Sequence, residues 1–235
     1  MILTILIAII PTIFLGYFVY KKDILEKEPL YLLLKLFSCG ILITVPASLI
    51  QHFLINIIPV INNNIIYNFV LSFIIIALTE EGLKYLVTYE ITWKNKNFNH
   101  IYDGIVYSVF TSLGFATLEN FLYVRQYATD FGLLKIGILR AVLSVPGHVF
   151  FAVAMGYYLG FAKYCEKRNM PSGAKRNKKL ALLTSIIFHG LFDFLLLTNN
   201  RLMGIIFYIF VVVLYIISYL KIKKMSNIKT MLEGE

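Results

Sequence analysis

The chain has 235 residues, 59% of them hydrophobic and only 15% charged, with a mean hydropathy of +0.76. So little charge cannot cover a water-soluble domain of this size, which excludes an ordinary soluble fold. The net charge of +9 is gathered in particular loops without interleaved aromatic residues, a pattern that orients a protein in a membrane and argues against a nucleic-acid partner.

The apolar residues fall into runs of about 20, the length that crosses a bilayer as a helix. They lack the period-two alternation of barrel strands. Seven spans are predicted: Ile2–Tyr20, Leu30–Ile58, Ile65–Thr92, Ile101–Val124, Leu133–Ala162, Leu180–Leu197 and Leu202–Leu220. The first has no basic leader and no small-x-small cleavage pattern, so it reads as an uncleaved span. The expected fold is an all-α, polytopic transmembrane bundle forming one domain over residues 1–235, with a short basic tail at 221–235.

Lysine and arginine fix the expected orientation. The connections after spans 1, 3 and 5 and the tail hold sixteen of the 22 Lys+Arg, among them Lys21, Lys22, Lys94, Lys167, Lys175, Lys223 and Lys229. The segment IPVINNNI has none, and the other connections offer Arg125 and Arg201. By the positive-inside rule the N-terminus lies outside and the C-terminus is cytoplasmic. Cys39 and Cys165 read as small apolar fillers, not as a disulfide. Gly156 and Gly160 form a GxxxG spacing that permits close helix approach. Pro146-Gly147, in the middle of span 5, predicts a kink.

Ionisable residues inside the spans call for a reason, since each costs about 2.5–3.5 kcal/mol on the mildest scale. Span 3 carries Glu80, Glu81 and Lys84; span 4 carries Asp103 near its start, then Glu119 beside Asn120; span 5 carries His148; span 6 carries His189 and Asp193. Lys84 lies three and four residues from the two glutamates, on a shared helix face. The glutamates project about 100° apart, so the lysine is expected to pair well with only one and leave the other for a cavity. His189 and Asp193 are four apart, so the carboxylate can orient the imidazole. Asp103 reads as a helix N-terminal charge, and Glu119 as a partner for Arg125 or a member of the site. Lone histidines are often packing residues, but three helices bringing costly groups to similar depth point to a working site.

Two chemistries stay open from these residue types. A carboxylate and a histidine can activate water for amide hydrolysis, with a second histidine or an asparagine stabilising the oxyanion. Alternatively, His148 and His189 with a carboxylate could hold zinc, although no H-E-x-x-H is present. The same groups could also serve a proton- or cation-coupled transporter, although seven spans without inverted repeats count against it.

Taken together, Glu80-Glu81-Gly82-Leu83-Lys84, Asp103, GFATLEN ending at Glu119-Asn120, PGH ending at His148, and FHGLFD with His189 and Asp193 resemble the PrsW protease family. The resemblance runs from about Leu78 to Leu195. More distantly it is similar to the CAAX prenyl-protease and bacteriocin-processing superfamily, from which it departs in having lysine at EExxK where arginine often stands one position later. The resemblance implies a membrane-embedded endopeptidase of the bacterial cell membrane, using Glu80 or Glu81 with His148, while His189 and Asp193 stabilise the tetrahedral intermediate or complete a zinc site, with Glu119 a further candidate. It also implies a partner: a single-span anti-sigma factor, cut on the extracytoplasmic side as the first step of regulated proteolysis.

Overall fold

The structure, a computed structural model, describes residues 2–58, 64–198 and 200–228. Its elements are α1 (Ile2–Lys22), α2 (Leu30–Ile57), α3 (Asn64–Phe69), a π-helical stretch (Val70–Ala77), α4 (Leu78–Thr92), α5 (Asp103–Phe131), α6 (Leu133–Leu139), a second π-helical stretch (Arg140–Ser144), α7 (Val145–Lys167), α8 (Pro171–Leu197) and α9 (Arg201–Ser226). Segments α3 to α4 and α6 to α7 each form one continuous span, so seven helices are long and apolar enough to cross a membrane. No β-strand occurs among the described residues. Side chains such as Phe14, Leu42 and Leu49 are about two-thirds exposed, which suits a lipid-facing surface and not water. Both cysteines are free.

The expected spans are found in number and order, with two informative differences. Helix α8 begins at Pro171, nine residues before the expected Leu180, so Lys175, Arg176, Lys178 and Lys179 ride on helix turns and not on a loop. Proline suits the first helical position, and long basic side chains can extend a helix beyond hydrocarbon by reaching for water. Helix α9 likewise runs on through Lys221, Lys223 and Lys224 to Ser226. Lys229 and most of IPVINNNI lie outside the described residues.

Helix α5 is the axis of the bundle. In its apolar window 72% of residues are buried, against 22–33% for α1, α2, α4, α8 and α9. Lipid tails are as apolar as leucine, so burial of oil does not drive helices together in a bilayer; close packing of small residues and polar contacts do. Here Gly40 of α2 faces Thr111 and Phe115 of α5, Gly114 of α5 faces Phe37 of α2, and Gly156 and Gly160 of α7 face Gly104 and Ile101. A Cβ on Gly156 would lie 2.3 Å from the Gly104 carbonyl oxygen. The GxxxG spacing thus serves the α5–α7 contact. Thr88 and Thr111 add a hydroxyl bond of 3.0 Å between α4 and α5.

The expected kink takes a specific form. Pro146 has no N–H to give the carbonyl of Val142. That carbonyl lies in the π-helical stretch and accepts the Tyr215 hydroxyl from α9 at 2.6 Å. The basic ends of the helices gather at one end of the bundle. There Lys163 donates to the Trp93 carbonyl at 2.6 Å, Lys221 lies over the Tyr157 ring, and Asn99 reaches Glu26 at 2.8 Å.

Gly156→Ala should lower the thermal unfolding midpoint in detergent, by about 1–3 kcal/mol of overpacking. Gly82→Ala, with nothing within 4 Å of its Cβ position, should be neutral or slightly stabilising, since alanine suits a helix interior better.

Candidate active site

The residue types singled out above converge where α4, α5, α7 and α8 meet. Both irregular stretches end just short of them: Val70–Ala77 three residues before Glu80, and Arg140–Ser144 four residues before His148. An inserted residue of this kind re-aims the side chains that follow, and such bulges are frequent at functional sites.

The ammonium of Lys84 sits at the centre, 1% exposed. It donates to Glu81 Oε1 at 2.8 Å, to Glu80 Oε2 at 3.1 Å and to His148 Nδ1 at 3.1 Å. Three donors meet three acceptors, and the Phe115 ring lies 4.2 Å beneath. The expectation that Lys84 serves one glutamate well is therefore corrected: its four-carbon stem places Nζ between both. Only Glu80 reaches the cavity described below; Glu81 is wholly buried behind it.

The histidines take their roles from their partners. Lysine can only donate, so His148 Nδ1 accepts and its Nε2–H points at Glu119 Oε2, 3.0 Å away. His189 Nδ1 donates to Glu81 Oε1 at 2.9 Å, and its Nε2 lies 3.4 Å from Asp193 Oδ2. Phe151 stacks on the His189 ring at 4.7 Å. Ser112 of α5 holds the His148 carbonyl at 3.0 Å. The i,i+4 pairing of His189 and Asp193 is as expected.

Glu119 does not pair with Arg125. Arg140, at the start of the second π-helical stretch, gives Nη2 to Glu119 Oε2 and Nε to Asn120 Oδ1, both at 2.6 Å. Sequence reasoning passed over Arg140, although a lone arginine in an apolar run was signal enough. It also passed over Gln51 of α2, which donates to Glu80 Oε1 at 3.2 Å. Asp103 stands apart, at the far end of α5.

Glu80, Glu119, Arg140, His148, His189 and Asp193 all line one cavity of about 630 Å³. It extends past Gln51, Gln126, Thr198 and Asn200, toward the end of the bundle away from the clustered lysines.

The donor set fits a divalent cation. Glu80, Glu119 and His148 can each bring a ligand atom within 4.8 Å of the others, as can Glu80, Glu81 and His189. Glu81 Oε2 is buried with no hydrogen-bond partner, an oxygen that asks for a proton or a metal. Two carboxylates with an imidazole are ligands zinc accepts. The two histidines fall in different groups, each rich in carboxylate, and their rings lie 5.7 Å apart between centroids.

Comparison with known proteins agrees with this geometry. A family model described as PrsW family intramembrane metalloprotease matches residues 28–219. The chain is 37% identical to "Protease PrsW" of Clostridioides difficile (strain 630), over 94% of this chain and 91% of that protein. It is 38% identical to "Protease PrsW" of Geobacillus kaustophilus (strain HTA426), over 80% and 76%. It is 32% identical to "Protease PrsW" of Bacillus subtilis (strain 168), over 95% and 96%. No solved structure matches the chain significantly.

Lys84→Met should leave two buried carboxylates and an imidazole without their cation, and destabilise the metal-free protein by about 3–5 kcal/mol, read from its unfolding midpoint. Lys84→Arg should not restore it, because a planar fork cannot reproduce a three-way point contact.

Proposed function

Because the chain belongs to the PrsW family of intramembrane metalloproteases, a peptidase acting on membrane proteins within the bilayer, we propose that it makes the first, extracytoplasmic cut in a single-span anti-sigma factor. The observation that carries this reading is the cavity. It joins two histidines, Glu80, Glu119 and Asp193 at mid-membrane, and it runs toward the lysine-poor end, which the positive-inside rule puts outside the cell. The transporter reading gives way to family membership, since the same buried groups serve peptide hydrolysis.

Glu80, Glu119 and His148, which all border the cavity, would hold the metal; His148 would offer Nε2, its proton moving to Nδ1 as Lys84 turns wholly to the two glutamates. Zinc there would supply Lewis acidity toward the scissile carbonyl and a water acidified to a pKa of about 7. Glu81, buried behind the cavity, does not meet the water itself: its Oε1, fixed by Lys84, holds His189 Nδ1–H and stabilises the imidazolium that forms when His189 Nε2 takes the water's proton. His189, oriented by Asp193, returns a proton to the leaving amine and donates toward the developing oxyanion. Arg140 holds Glu119 and Asn120 in place. Gln51 keeps Glu80 turned to the cavity.

Purified protein in liposomes should cleave a co-reconstituted single-span anti-sigma factor. A chelator should abolish cleavage and added zinc restore it. Glu81→Gln and His148→Ala, inserted normally, should each lower the rate by about 10²–10⁴-fold. Undiminished cleavage by either variant refutes these roles, and chelator-resistant cleavage by metal-free protein refutes zinc. Cleavage of prenylated peptides in preference to the anti-sigma factor would refute the substrate assignment.

A further inference from the structure

A second group of acids lies at the opposite end of α5, away from the cavity. Asp23 and Glu28 belong to the connection between α1 and α2, and Asp103 is the first residue of α5. They are 2%, 2% and 0% exposed, and one oxygen from each lies within 4.8 Å of the others. At mid-membrane this chain answers its carboxylates with Lys84 and Arg140. Here, among the described residues, no lysine, arginine or histidine comes within ion-pair distance of any of the three carboxylates.

The contacts that do exist define the gap. Asp103 Oδ2 accepts the backbone N–H groups of Asn99 and His100 at 2.9 and 2.7 Å. Glu28 accepts the Tyr107 hydroxyl. The Lys27 ammonium, the nearest positive charge, is spent on the carbonyls of Tyr20, Lys21 and Asp23. What remains is Asp103 Oδ1 and Asp23 Oδ2, both buried and both without a partner. Burial lifts the Asp23 carboxyl to about 6 and that of Glu28 to about 7, so without an ion the cluster holds down part of its charge by keeping protons.

We propose that Asp23, Glu28 and Asp103 form a second cation site, separate from the peptidase centre, that binds a hard divalent ion of the magnesium, manganese or calcium type. The donor set is all oxygen and anionic, which such ions prefer and which offers zinc neither nitrogen nor sulfur. Once ionised, three carboxylates beside one lysine carry two net negative charges, which a divalent ion neutralises as it displaces their protons. The bound ion ties the α1–α2 connection to the start of α5, the helix on which the rest of the bundle packs. Its role is that of a staple at the lysine-rich end, with no part in the chemistry at the cavity.

The test uses the full-length protein in detergent or nanodiscs, stripped of metal, with magnesium, manganese and calcium added separately. At least one should raise the unfolding midpoint by several degrees, and the preferred ion identifies itself by the largest shift. The shift should persist in a His148→Ala, His189→Ala double variant, which takes the imidazole from both candidate ligand groups at the cavity, and disappear in Asp103→Asn, with binding weakened roughly tenfold or more. Glu28→Gln, whose amide oxygen can still accept from Tyr107, should weaken it likewise if Asp103→Asn fails to fold. Manganese binding to that double variant, counted by electron paramagnetic resonance, should give one ion per chain. No shift and no bound manganese at millimolar concentration overturns the proposal. So does a shift that survives undiminished in the two carboxylate variants.

Discussion

A single ammonium group in the middle of the bilayer decides where four helices can lie. Lys84 could not remain charged there alone, nor could Glu80 and Glu81. Together, with His148 as third acceptor, they form a network in which every lysine proton has a place. The cost of breaking it exceeds the cost of any one packing contact, because each member left behind would be an unpaired charge in a medium of low dielectric. From that centre the network spreads through His148 to Glu119 and Arg140, and through Glu81 to His189 and Asp193. Helices α4, α5, α7 and α8 are thereby fixed relative to one another by bonds that also make up the working surface. Stability and reactivity draw on the same atoms.

The backbone around this centre is irregular where the side chains must be aimed and regular elsewhere. The two π-helical stretches lie on the approaches to Glu80 and to His148. Regular helix continues on the far side of each, where glycine seams and threonine hydroxyls set α5 against α2, α4 and α7. A bilayer tolerates such departures only where protein supplies the missing partners. The cavity wall is such a place.

Much of this was legible in the sequence, for physical reasons that also explain the rest. Seven spans could be read because hydrocarbon thickness imposes a length and forbids charge. Glu80, Glu81, His148, His189 and Asp193 stood out because each is too costly at depth to be incidental. Lys84's double pairing was missed because helical angles describe where a Cα points and not how far a lysine stem bends. Gln51 was missed for a different reason: it matters through a partner on another helix, and single-chain spacing carries no such information; Arg140, a lone arginine in an apolar run, did carry a signal in its cost, though its partners could not be read. The π-helical stretches left no periodic mark: Val70–Ala77 is apolar but for Ser72, and Arg140–Ser144 is too short to show a period. The start of α8 was set too late because basic residues were taken to end a helix, when at a membrane surface they merely end its immersion.

The bond between Tyr215 and the Val142 carbonyl bears on the order in which the protein is made. The acceptor emerges from the ribosome 73 residues ahead of its donor. Until α9 has been synthesised and inserted, the Val142 carbonyl, four residues before a proline that has no N–H to give it, lacks the hydroxyl that meets it in the finished bundle. A nascent chain with all its site acids and histidines already in the membrane would still lack this tie between α9 and the bent span that carries His148. The bend is thus braced late, by a single hydroxyl from a helix that brings no acid or histidine of its own.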